Sequence, residues 1–169
     1  MKKSIIFICN GNIERSVIAA QCLNNLLEKK QLTAKYKADS FGLQGTKNTP
    51  NPLYKKLSQY PKEYKAAYPT LKKLKIDISK HTYKKITLSA ISYATTIIAM
   101  DKKVYSSAKN SLLKQFPFAK NKLHIFSEIT LNHKNIKDPH GNGNSKIHEQ
   151  VIQQIQVAIN KNYKKILYL

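Results

Sequence analysis

The chain has 169 residues, 41% of them hydrophobic, which is enough for one domain with a buried core. Its formal net charge is +21. No run of about 18 apolar residues is present, which excludes a helical membrane span.

Two cysteines, Cys9 and Cys22, are too few for a disulfide framework and wrongly spaced for a zinc site, so a reducing, cytoplasmic setting is expected. The opening Met1-Lys2-Lys3 precedes an apolar run too short for a secretory leader, and no small-residue cleavage site follows it. Of the 30 basic residues, 29 are lysines, scattered in pairs without aromatic RNA-binding motifs or zinc fingers. A solvated surface is expected from them, and nucleic acid is not expected as a partner.

In chain order, Ile5 to Cys9 reads as a buried parallel strand. Ser16 to Lys30 reads as a helix, with Val17, Ala20, Leu23, Leu26 and Leu27 near helical spacing. Lys35 to Ser40 is a weaker strand. Gly45 to Pro69 holds four prolines and four tyrosines and reads as an irregular stretch, a candidate lid or docking loop. Thr70 to Lys75 gives a helical turn or two before Ile76-Asp77-Ile78. Ala94 to Met100 is a strand, Lys102 to Gln115 a helix, and Leu123 to Phe126 a short strand. Ile147, Val151, Ile155 and Ile159 step by four, so Ser145 to Tyr163 is an amphipathic helix. Strands alternating with helices predict a single α/β domain with a parallel sheet and helices on both faces. Ligands of such sheets bind beyond the carboxyl ends of the strands, where Cys9 lies.

Cys9 opens the segment Cys9-Asn10-Gly11-Asn12-Ile13-Glu14-Arg15-Ser16, and Arg15 is the only arginine in the chain. A turn between strand and helix presents backbone N–H groups at a helix N-terminus, which is a cradle for an anion. Arginine adds a planar fork that binds two phosphate oxygens at once, which lysine cannot do. Gly11 and Asn12 tolerate the left-handed backbone such a turn needs, and the Asn12 amide can pin the loop from within. The helix dipole and the Arg15 charge favour a thiolate at Cys9, and Ser16 can donate a hydrogen bond to the sulfur. A thiolate that attacks a phosphate ester needs a proton donor for the leaving group. Asp138, one of only four aspartates, stands before Pro139 in a glycine-rich loop ahead of the last helix.

Together these motifs resemble the low-molecular-weight protein tyrosine phosphatases. The phosphate loop is similar to the family's Cys-x-Gly-Asn-x-Cys-Arg-Ser. Asp39-Ser40, the stretch from Ile76 to His81, the apolar strand ending Met100-Asp101, and Asp138-Pro139 follow in the family's order. The resemblance implies a four-stranded parallel sheet of flavodoxin-like type, with no metal and no cofactor. It implies a phosphocysteine intermediate at Cys9, a phosphoryl clamp at Arg15 and a general acid and base at Asp138. Asn10, Gly11, Asn12, Ile13, Glu14 and Ser16 would complete the phosphate loop, and Asn12, Ser40 and His81 would brace it. Ile13, Phe41 and His140 would wall the substrate slot, together with the Tyr54–Tyr68 group. Phosphotyrosine-containing proteins would be the substrates, and inorganic phosphate or sulfate would fit the loop.

The chain departs from the family at several positions. Glu14 occupies the place of a second cysteine. At ~5 Å from a thiolate its carboxylate would repel by about 3 kcal/mol at an effective dielectric near 20, so Glu14 is expected to turn outward toward a lysine. Val17 replaces a proline, and His140 replaces an aromatic residue. Three other readings share parts of the pattern. Arsenate reductases need further relay cysteines, and only Cys22 is present. Protein-arginine phosphatases place a threonine where Ile13 stands, and an apolar Ile13 suits an aromatic ring better. A phosphoprotein-binding pseudophosphatase is suggested by Glu14 and the basic surface.

Overall fold

The five residues from Ile5 to Cys9 are almost wholly excluded from solvent, and their side chains divide between two cores. In the computed structural model, which describes residues 2–130 and 135–169, they belong to strand β1 (Lys3–Cys9). Ile5, Phe7 and Cys9 face one cluster, and Ile6 and Ile8 face the other, as the two-residue period of a strand requires. A strand buried on both faces has to be apolar throughout, which is how this one reads.

The sheet has four parallel strands in the order β2-β1-β3-β4. Its other strands are β2 (Tyr36–Gly42), β3 (Thr96–Ala99) and β4 (Leu123–Ile125). Helices α1 (Arg15–Lys29) and α5 (Ser145–Tyr168) supply Leu23, Ile152, Ile155 and Ile159 to the first core. The short helices α3 (Leu88–Tyr93) and α4 (Leu112–Gln115) supply Ile91 and Leu112 to the second. Each fully buried Ile, Leu or Phe contributes roughly 1.5–3 kcal/mol of transfer free energy. The strand order reverses at β1, between β2 and β3, so the switch point opens at the carboxyl end of β1. Among the described residues, no helix is long and apolar enough to cross a membrane.

Three expected elements differ. Pro61–Lys73 is a helix, α2, which begins inside the stretch read as irregular and runs on into the helical turn expected from Thr70. Pro61 fits the first turn, where its missing N–H is unneeded, and Pro69 lies on the solvent side. The buried positions Glu63, Ala66, Ala67, Thr70 and Leu71 keep a helical period that the prolines mask. The predicted helix from Lys102 to Gln115 is instead a π-type turn at Lys103–Ser107 followed by α4. Helix α3 falls where no element was predicted; its Thr87 side chain caps it by accepting from the Ala90 N–H.

Candidate functional site

The turn from β1 into α1 wraps around one sulfur. Cys9 Sγ accepts from the Asn12 backbone N–H at 3.1 Å and lies 3.1 Å from Ser16 Oγ. No side chain caps α1, so its first N–H groups face the loop rather than a capping oxygen. Asn12 holds the turn. It is fully buried and adopts φ 51°, the left-handed conformation asparagine tolerates. Its Nδ2 donates to Ser40 Oγ at 2.9 Å and Ser16 Oγ at 3.1 Å. Its Oδ1 accepts from the Lys84 N–H at 2.8 Å. His81 Nε2 lies 3.0 Å from the Asn12 carbonyl and 3.1 Å from its Oδ1. Both partners are acceptors, so this nitrogen carries the hydrogen. Burial lowers the His81 pKa, which keeps the ring neutral in that role. Ser40 and His81 therefore meet at Asn12, as the expected brace requires.

Gly42 sets how closely β2 approaches this loop. A Cβ there would stand 3.0 Å from both the Asn10 carbonyl oxygen and Asn12 Cβ, and 3.1 Å from the Tyr83 ring. Two of these neighbours belong to the loop and cannot swing aside. Gly42→Ala is expected to destabilise the fold by about 1–3 kcal/mol in urea unfolding, because the strain of overpacking falls on the loop itself.

Arg15 is nearly fully buried and gripped by two carboxylates. One terminal nitrogen lies 2.6 Å from Asp101 Oδ2, and the other 2.5 Å from Asp138 Oδ2. The first also approaches the Ile136 carbonyl at 3.4 Å. Burial works against the guanidinium charge, but Asp138, Cys9 and Asp101 outweigh it and raise the pKa. Asp101 was noted in the sequence only as the end of an apolar strand. Its other oxygen accepts from the Val104 N–H at 2.8 Å, so it orients the arginine from a fixed position.

Glu14 corrects the expectation that it turns outward. It is buried, and its Oε1 lies 2.8 Å from His148 Nδ1, with no lysine partner among the described residues. The physical reason is that α5 offers a buried basic partner, which a buried carboxylate needs. Burial raises the Glu14 pKa against the opposing pull of His148. For His148 burial acts downward, but the bond to Glu14 and its charge prevail and raise the pKa. Both shifts run in the direction of a proton retained by the pair. His148 was missed; a histidine one turn before Val151 and Ile152 on the buried face of α5 was the available signal, since a polar group there needs a partner.

These groups line a cleft of about 400 Å³. Cys9, Asn10, Gly11 and Arg15 lie on its lining with Asp138, and Ile13, Leu53, Leu57, Tyr60 and His140 are the side-wall residues. Tyr60 stands edge-on to Tyr54 and His140, with centroids 5.1 and 5.6 Å away. Phe41 is not part of this wall. Strand alternation puts it opposite Ser40, on the second core, with the Lys84 ammonium 5.0 Å above its ring. Tyr64 and Tyr68 face a separate groove. Three of the chain's nine acidic residues, Glu14, Glu63 and Asp138, line the cleft, and no lysine is among the described lining residues. Glu63 accepts from the Gly141 N–H at 3.1 Å, which ties α2 to the loop that carries Asp138. Cys22 lies away from the cleft in α1, where burial pushes its thiol up to about 12. Among the described residues, no cluster of three or more His, Cys, Asp or Glu could hold a metal ion.

The family model described as low molecular weight phosphotyrosine protein phosphatase matches residues 4–167. Several solved structures share the fold. The YwlE arginine phosphatase from Geobacillus stearothermophilus is 24% identical, with 98% of this chain and 94% of that chain covered and a TM-score of 0.70. Vibrio vulnificus Wzb, in complex with benzylphosphonate, is 22% identical, with 98% and 99% covered and a TM-score of 0.72. The low molecular weight protein tyrosine phosphatase from T. tengcongensis is 24% identical, with 97% and 99% covered and a TM-score of 0.71. No curated protein matches the chain.

Proposed function

Because the chain belongs to the low molecular weight phosphotyrosine protein phosphatase family, we propose that it hydrolyses phosphotyrosine in proteins through a phosphocysteine intermediate at Cys9. The observation that carries this reading is the convergence of Cys9, Arg15 and Asp138 on one cleft walled by Ile13, Leu53 and Tyr60. In the first step Cys9 Sγ attacks phosphorus and the P–O bond to tyrosine breaks. Arg15 holds the equatorial oxygens, and Asp138 gives its proton to the departing phenolate oxygen. In the second step water attacks phosphorus, Asp138 takes its proton, and the sulfur leaves as thiolate. The Asn12 N–H and Ser16 hydroxyl, both 3.1 Å from Sγ, stabilise that thiolate. The Arg15–Asp138 contact has to open on the way, because the phosphate needs the guanidinium and the leaving group needs the acid.

Asp138→Asn tests the acid. Its kcat is expected to fall about 100-fold on phenyl phosphate and much less on p-nitrophenyl phosphate, whose leaving group needs little protonation. Equal losses on both substrates, or wild type that turns over neither, would overturn the reading. The pseudophosphatase alternative loses one of its two motives, because Glu14 is paired with His148; the turnover assay decides the rest. One observation favours phosphoarginine as a second substrate class: Glu63, with no lysine among the described lining residues, would accommodate a guanidinium. Ile13 at the slot favours the aromatic ring. Parallel rates on phosphotyrosine and phosphoarginine peptides separate the two.

A further inference from the structure

The phosphate loop and the acid loop meet at a buried point that touches neither phosphate nor the leaving group. His148, in the first turn of α5, is fully buried. Its Nε2 lies 2.7 Å from the Asn142 carbonyl, and its Nδ1 lies 2.8 Å from Glu14 Oε1. Glu14 immediately precedes Arg15, and Asn142 follows Asp138 in the acid loop. A carbonyl only accepts, so Nε2 carries a hydrogen. Nδ1 then meets Glu14 in one of two ways. Either an imidazolium donates to the carboxylate, or a neutral ring accepts from a protonated carboxyl. Both arrangements hold the same extra proton. Without it the ring has one hydrogen for two acceptors, and one of the two contacts is lost.

We propose that His148 is a positioning residue that joins the acid loop to the phosphate loop through a single proton shared with Glu14. The consequence for catalysis rests on the phosphatase reading above; the joint itself does not. The joint matters when substrate arrives. Asp138 is anchored to Arg15 at 2.5 Å. Phosphate displaces that anchor, and the loop then depends on bonds such as Glu63 to Gly141 and His148 to Asn142. His148 thus holds the acid loop in place at the moment Asp138 acts. Arg15 and Asp138 face Glu14 from the two loops, and Glu63 faces His148 from α2. Both members of the pair bind protons more tightly than the free groups, for the reasons given above. The joint is therefore closed at low pH and opens as the pH rises through the titration of the pair.

The test follows the backbone N–H signals of Gly141 and Gly143 and the ring nitrogens of His148 by NMR, from acid to alkaline pH. In wild type the two glycines are expected to shift with the midpoint of the His148 Nδ1 signal. In Glu14→Gln the amide donates to the neutral ring or accepts from the imidazolium, so both ring contacts persist at every pH and the glycine shifts no longer follow the His148 titration. In kinetics, His148→Leu is expected to lower kcat about 10-fold on phenyl phosphate but only about 2-fold on p-nitrophenyl phosphate, since misplacing the acid hurts the poorer leaving group. Its inhibition by inorganic phosphate should stay near that of wild type. Glu14→Leu should follow the same pattern, and Glu14→Gln should retain several-fold more activity than Glu14→Leu. Glycine signals that ignore the His148 titration, or equal losses on both substrates, overturn the proposal. Should His148→Leu fail to fold, wild type and Glu14→Gln still decide it by NMR. Should wild type hydrolyse neither substrate, the phosphatase reading fails, while the NMR transition still supports or overturns the joint.

Discussion

Cys9→Ser is expected to reduce aryl phosphate hydrolysis by about 10⁴-fold or more, to the background of the assay, because a hydroxyl is a far weaker nucleophile here than a thiolate. The surroundings sharpen the loss. The Asn12 N–H and Ser16 hydroxyl sit at 3.1 Å from Sγ, a spacing suited to a large, diffuse sulfur anion. A shorter C–O bond would draw the oxygen back from both partners and from the phosphorus. Two of the nearby histidines are already engaged, His81 with Asn12 and His148 with Glu14. Phosphate binding should survive, because Arg15 and the loop are untouched. Inorganic phosphate titrated against the variant and wild type, beside a turnover assay, checks both halves; measurable turnover by Cys9→Ser would remove the cysteine from the chemistry.

Arg15→Lys is expected to lower kcat/KM by about 10³-fold although the charge is kept, a loss of the size associated with removing a transition-state charge clamp. The wild-type side chain uses two separate nitrogens, one 2.6 Å from Asp101 and one 2.5 Å from Asp138. A lysine has one ammonium and cannot serve both directions from one point. It would stay with one carboxylate and leave the other buried or half-buried without its partner, while the phosphoryl group lost its two-pronged contact. Comparison of kcat/KM with the stability of the variant in urea separates the two effects: the kinetic loss should exceed any loss from a lowered folded fraction.

The strand, loop and helix around Cys9 were legible because they are local. A short apolar run, a Gly-Asn turn and a helical stripe follow one another within the first 29 residues. The position of Asp138 beside Arg15 was legible only through the resemblance, since the two are far apart in the chain. What escaped notice was either masked or non-local. Helix α2 was hidden by Pro61 and Pro69, because the proline signal outweighed the buried period of Glu63, Ala66, Ala67 and Thr70. The contact of Glu14 with His148 joins positions 134 residues apart, and no spacing rule reaches that far. Phe41 was misassigned because its neighbour Ser40 belongs to the site, and consecutive strand residues point to opposite faces.

A cleft with no lysine among its described lining residues, on a chain of charge +21, divides the electrostatics by distance. Outside the cleft, the surface lysines set up a positive field that reaches roughly a Debye length, about 8 Å at physiological ionic strength. Inside it, among the described lining residues, the guanidinium of Arg15, held by Asp101 and Asp138, is the cation that meets the phosphate. Added salt therefore acts on how often partners meet and leaves the bond-breaking step largely alone. Encounter and turnover are tuned by separate sets of residues, so either can drift in evolution without dragging the other with it.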